Sequence, residues 1–229
     1  MTILDQIPFQ IDVAALFARM RLDPEGEYSG EVRALAEKAG AVARPKAILD
    51  DLFVEDRFAD GVVAGGVRFT SRVLRQNLDS VHRVIPYVAT CGAEIDSVPV
   101  AADDFVGQFS RDAIKEMALN AARNFLADHV RRTCGFPRMA SMNPGSGDQD
   151  IWPIEQQKEL FSVFGNVREL IGVTLTDTFL MLPNKSVSGL FYPTEVDFVT
   201  CQLCHREGCP NRRAPFDAHQ WEMRFAAAK

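Results

Sequence analysis

The chain has no apolar run long enough to cross a bilayer, and its opening residues, MTILDQIPFQ, carry an acid rather than the basic stretch of a secretory leader. A cytoplasmic protein is expected. Basic charge is not in excess either: 25 Lys and Arg stand against 31 Asp and Glu, leaving a net charge of -6 spread over segments of mixed sign. Gripping nucleic acid needs a concentrated field of cations, so small molecules and proteins are the expected partners, with no nucleic acid and no membrane. There is no internal repeat and no low-complexity tract. Familiar catalytic signatures are missing too. No serine lies in a G-x-S-x-G elbow, no G-x-x-x-x-G-K-[ST] phosphate loop occurs, and His82, His129, His205 and His219 fall in unrelated contexts.

What the chain does have is apolar residues, 47% of 229, enough for a substantial core. It reads as one domain over 1–229, with a helical region at 1–50 and a cysteine-rich segment at 198–229. Apolar residues recur at helical spacing over 11–20 and 30–48. From 52 to 90 the runs FVEDRF, GVVAGGVRF and RVIPYVAT are strand-like, broken by Gly65-Gly66 and by a polar stretch near Asn77. Pro86 puts the last run at a sheet edge or at a strand start. Residues 103–133 form one long helix, with acids at its start, Arg131 and Arg132 at its end, and Cys134-Gly135-Phe136-Pro137 as its stop. A loop runs to Asp150, and Pro153 opens a further helix. GVTLTDTFLML is a strand, PNKSVSG a loop, and LFYPTEVDFVT a second strand-like stretch; HQWEMRFAAAK is a loosely held tail or a short helix. Helices mixed with strands that lack crossovers indicate an α+β fold.

Five cysteines are an odd number for a disulfide framework, so reduced thiols or metal ligands are expected. Cys201, Cys204 and Cys209 lie within nine residues, and thiolate suits zinc or an iron-sulfur cluster. A closed tetrahedral site needs a fourth ligand, from Cys134, Cys91 or His205. Iron-sulfur, zinc and ordinary thiols all stay open. Arg138, followed by Asn143-Pro144-Gly145-Ser146-Gly147-Asp148, sets one cation and several free amides in a loop that either grips a carboxylate or ribose or merely reverses the chain. Glu94 and Asp96 read as solvated carboxylates.

Arg138 with Asn143-Pro144-Gly145, then IWPIEQQKELFSVFG, then IGVTLTDTFLMLPNKSVSGLF, together resemble the activation domain of cobalamin-dependent methionine synthase over 138–189. In that family an Arg precedes a Pro-Gly loop, a helix follows, and a segment of the form GVxLTxSxxMxPxxSVSG closes the site. ATCGAEID and a C-x-x-C-x-x-x-x-C stretch before Arg212 and Arg213 are similar to small stand-alone relatives of the domain. The resemblance implies a twisted antiparallel sheet flanked by helices, with a shallow groove in which S-adenosylmethionine faces a corrin. It carries cofactor contact onto Arg138, Pro144, Gly145, Ser186, Val187, Ser188, Gly189, Phe191 and Tyr192. Ser146 stands where the family has Tyr, and nothing here matches the family's Pro-Asp-His stretch.

The implied function is accessory: reductive reactivation or methylation of cobalamin held by a partner, either a corrinoid protein or a methionine synthase or methyltransferase component. If enzymatic, the activity is of the methyltransferase class. Cys201, Cys204 and Cys209 would hold the cluster that supplies the electron. Two alternatives stand beside this reading: a corrinoid-dependent methyltransferase component using zinc or an iron-sulfur cluster, and a non-catalytic cobalamin-binding or scaffold module.

Overall fold

The computed structural model describes residues 1–225. The chain runs β1 (Thr2–Leu4), α1 (Val13–Met20), α2 (Ser29–Val42), β2 (Lys46–Leu49), β3 (Leu52–Phe58), β4 (Gly61–Ala64), β5 (Val67–Thr70), α3 (Arg72–Asn77) and β6 (Arg83–Thr90). After the long α4 (Phe105–Cys134) come β7 (Met139–Met142), α5 (Gln157–Ser162), α6 (Val167–Ile171), β8 (Thr174–Leu175), β9 (Met181–Leu182), β10 (Ser186–Pro193) and α7 (Ala218–Phe225). An eight-stranded sheet, antiparallel at every pairing and flanked by helices, makes the fold α+β.

Strand β6 is the spine of the sheet. Along one edge it pairs with β10, from Ser186 opposite Thr90 to Phe191 opposite Ile85. Its other edge is shared, with β2 opposite its C-terminal half and β3 opposite its first residues. Pro86 therefore sits in a central strand, not at an edge. The Pro86 carbonyl accepts from the Asp50 amide at 3.1 Å, at the bend where the chain leaves β2 for β3. Because the N and C=O of a strand residue face the same side, the missing donor falls at a break in the ladder and costs no regular hydrogen bond.

Helix α4 is capped by Asp104, whose carboxylate accepts from the Gly107 amide, and ends on Gly135 in the left-handed region at φ 68°. Its buried residues Ser110, Ile114, Ala118, Ala122, Leu126 and Val130 repeat every fourth position. Four residues at about 100° each overshoot a full turn by about 40°, so this stripe winds around the helix. The N-terminal half accordingly packs on α1 and α2 through Ile114 and Ala118. The C-terminal half packs on the sheet through Ala122, Leu126 and Val130 against Ile85, Tyr87 and Phe191. The opposite sheet face buries Trp152, Tyr192, Phe69 and Leu160 under α3, α5 and α6.

Four local expectations change. Helix α2 stops at Val42, before Pro45, and 46–49 joins the sheet. The polar stretch near Asn77 is helix α3, started by the Ser71 hydroxyl accepting from the Leu74 amide at 2.9 Å. GVTLTDTFLML holds only the two-residue strands β8 and β9, because Thr176 N–H donates to Leu180 O at 2.8 Å and closes a turn between them. SVSG is not a turn but the start of β10. Tail residues 218–225 form α7, and the rest of that tail lies outside the described residues.

Candidate functional site: a groove between α4 and the β7–β10 edge

A concavity of about 410 Å³ opens where the C-terminal half of α4 faces β7 and β10, roofed by the segment that follows β10. Tyr87 and Phe191 form its floor, their rings stacked at 4.3 Å and 19°. A chain of polar contacts runs beside them. The Tyr87 hydroxyl is 2.9 Å from Ser141 Oγ, and Asn143 Nδ2 donates both to that hydroxyl at 2.8 Å and to the Ser188 carbonyl at 2.6 Å. Gly189 makes this possible, since a Cβ there would overlap Asn143 Nδ2 and the Met142 carbonyl.

Cations dominate the rim: Arg123 and Arg131 from α4, and Arg213 from the C-terminal segment, face one carboxylate, Asp197. Arg131 is paired with Asp128 at 2.7 Å. The Arg123 guanidinium has no protein partner among the described residues, whereas the Arg213 side chain reaches the Cys201 thiol. Stacked rings, guanidinium groups of which that of Arg123 is free, an amide and two hydroxyls suit a ligand with a planar or apolar part and a carboxylate.

The residues nominated from the sequence divide. Phe191 lines the groove, and Gly189 and Ser188 shape its floor through Asn143. Val187 packs on the α4 side of the sheet. Arg138 props the roof: its Nη1 donates to Glu195 O at 2.6 Å while its carbonyl accepts from Thr194 N at 3.2 Å. Pro144 is buried, and Gly145, at φ 75°, fits under Ile154 with its amide on Trp152 O, so neither lines the groove. Ser186 bonds Thr90 Oγ1 at 2.9 Å. Tyr192 points to the opposite face, with Asn77 Nδ2 donating to its hydroxyl at 3.0 Å. Burial pushes the Tyr192 phenol well above the ordinary tyrosine range, against the pull of Arg224 and the Asn77 bond. Sequence reasoning missed Tyr87, Ser141 and the arginines of α4. A tyrosine in an apolar strand carries no local signal, and helix arginines read as a solvated face.

The cysteine segment is organised by an arginine. Arg212 donates to the carbonyls of Cys201, Cys204, Arg206 and Ala214 at 2.7–3.1 Å. Cys204 is buried, with Sγ 3.7 Å from Asp148 Oδ1, and His205 Nδ1 lies 2.7 Å from Asp148 Oδ2. Burial raises the Asp148 carboxyl, but the His205 bonds outweigh it and hold the group below its usual value. Cys201 accepts from the Arg213 amide at 3.5 Å. Burial disfavours its thiolate, yet the Arg213 and Ala214 amides and the Arg213 charge prevail, so the thiol lies below its usual value. Cys91 is buried after β6, its thiol pushed up to about 11 by desolvation, and Cys134 ends α4. No three His, Cys, Asp or Glu side chains among the described residues are grouped to hold a metal. The donor set does not fit a preformed zinc or iron-sulfur site. Glu94 and Asp96 are ion-paired with Lys46 and Lys115 at 2.6 and 2.9 Å. No helix among the described residues is long and apolar enough to cross a membrane.

No family model matches the chain, and no curated protein does. Among solved structures, the crystal structure of the MetH reactivation domain bound to AdoHcy is similar, with a TM-score of 0.57 and 15% identity. The match covers 87% of this chain and 81% of that one. At this identity the likeness is one of fold.

Proposed function

From the fold shared with that reactivation domain, we propose that this chain is an accessory protein of corrinoid methyl transfer, docking on a cobalamin-bearing partner and supporting the return of inactive cobalamin to its methylated form. The observation that carries the reading is the likeness of fold to a domain that binds AdoHcy, over 87% of the chain. The groove supports it chemically. Its volume of about 410 Å³ falls within the usual range for small-molecule sites, and it holds the unpaired Arg123 guanidinium and the Arg213 cation beside an aromatic floor.

In this reading S-adenosylmethionine occupies the groove, its carboxylate on Arg123 or Arg213 and its ribose hydroxyls near Asn143 and Ser141. Asp197 faces the ammonium group. The partner's cobalt is the substrate: it takes one electron from an external donor and then a methyl cation from the sulfonium, which leaves as S-adenosylhomocysteine. The chain's own residues bind and orient the donor. No step of this reading is routed through Cys201, Cys204 or Cys209.

The test is a corrinoid methyltransferase loaded with cob(II)alamin and mixed with S-adenosylmethionine and titanium(III) citrate, with and without this chain. Methylcobalamin absorbance is expected to grow at least tenfold faster with the chain present. Equal rates in both mixtures would overturn the proposal.

A further inference from the structure

A second concavity, of about 820 Å³, lies between β3, α3 and α7, and its chemistry differs from that of the groove. Arg57, Arg72, Arg75 and Arg224 line it, with Asp79 as the one acid in its wall. In a chain of net charge -6, this local excess of cations runs against the overall balance.

The cations are held in place but left largely uncompensated. Arg57 donates through Nε to Leu78 O at 3.0 Å and through Nη2 to Val81 O at 2.5 Å, both neutral acceptors. Arg224 donates through Nη1 to Asn77 Oδ1 at 2.8 Å, again a neutral acceptor, and its Nε is buried without a hydrogen-bond partner. Its guanidinium lies 4.8 Å from the centroid of the Phe198 ring, so its orientation is set by packing as well. Arg75 alone has a carboxylate partner, Asp79 at 2.7 Å. Arg72 is exposed and has no partner among the described residues. A guanidinium fork fits the oxygens of a phosphate, and fork positions fixed beforehand reduce the ordering cost of binding.

We propose that this concavity is a binding site for a small molecule carrying a diphosphate group, held by Arg57, Arg72, Arg75 and Arg224. Three separate elements supply the arginines, so they surround a hollow rather than forming a stripe along one helix. The hollow is large enough for more than one phosphate and favours a compact ligand over an extended acidic chain. The site shares no lining residue with the α4 groove and does not depend on the methyl-transfer reading.

Isothermal titration with inorganic pyrophosphate at constant ionic strength tests this, using the full chain and Arg72→Glu. Because Arg72 is exposed and unpartnered, the variant should keep its circular dichroism and melting temperature. The expected result is saturable binding of pyrophosphate, tighter than that of orthophosphate, and weakened roughly tenfold or more by the charge reversal. S-adenosylhomocysteine titration should be the same for both proteins. Pyrophosphate heats no larger than those of chloride, or binding unchanged in Arg72→Glu, would overturn the assignment. Binding of a poly-glutamate peptide without binding of pyrophosphate would also overturn it, in favour of an acidic protein partner.

Discussion

Asn143 reaches across Gly189: its Nδ2 donates to the Ser188 carbonyl at 2.6 Å through space that any Cβ on residue 189 would fill. The same amide nitrogen donates to the Tyr87 hydroxyl, so this one contact joins β10, the loop after β7 and the floor of the groove. Gly189→Ala should therefore cost about 1–3 kcal/mol, as overpacking generally does. Asn143→Ala removes one of the two clashes and leaves the one with the Met142 carbonyl, so the double variant should be less destabilised than the sum of the singles, measured by urea unfolding. Simple additivity would mean that the two residues do not share the space.

Tyr192 contributes to the loss of stability at alkaline pH. Its phenol is buried and its folded-state pKa lies above the ordinary value of 10.0. The folded protein thus holds this proton more tightly than the unfolded chain does. Its stabilising effect is complete below pH 10 and fades as pH rises past that value. Tyr192→Phe should lose about 1 kcal/mol at pH 7 with the Asn77 bond, and should show a flatter decline between pH 9.5 and 11 by denaturant melts. A decline as steep as the parent's would assign it to other groups.

Much of this architecture is legible in the residues, and the rest is hidden for physical reasons. Helix α4 declares itself because its cap Asp104, its apolar repeat and its stop Gly135 are all local signals. The start of β10 does not. Ser186 to Gly189 has the small polar composition of a turn, and it is a strand only because β6 pairs with it and Asn143 fits over Gly189. Pro86 misleads in the same way, since the break between β2 and β3 that tolerates it lies more than thirty residues earlier. The Pro-Gly loop and the SVSG segment lie close to the groove, but its cations and the Tyr87 hydroxyl come from elements whose sequence reads as ordinary helix face and buried strand.

The thiols should separate by reactivity. Cys201 is partly exposed with a thiol below its usual value, whereas Cys91 is buried with a thiol near 11. With iodoacetamide at pH 7.5 and mass mapping, Cys201 should be alkylated well before Cys91, which should react only on unfolding. Equal rates would contradict this.

Arg212→Ala should loosen the cysteine segment. Removing a guanidinium that holds four carbonyls should cost about 2 kcal/mol and raise amide exchange over 201–214 while leaving β6 and α4 protected. Unchanged exchange there would show that the segment is held by other means.

The central claim is that the α4 groove takes an adenosylated amino acid. Isothermal titration of the full chain with S-adenosylhomocysteine, beside Arg123→Ala and Phe191→Leu, tests it most directly. One-to-one binding is predicted, tighter than about 1 mM and weakened in both variants while circular dichroism stays the same. No binding at millimolar ligand, or binding indifferent to both substitutions, would contradict it.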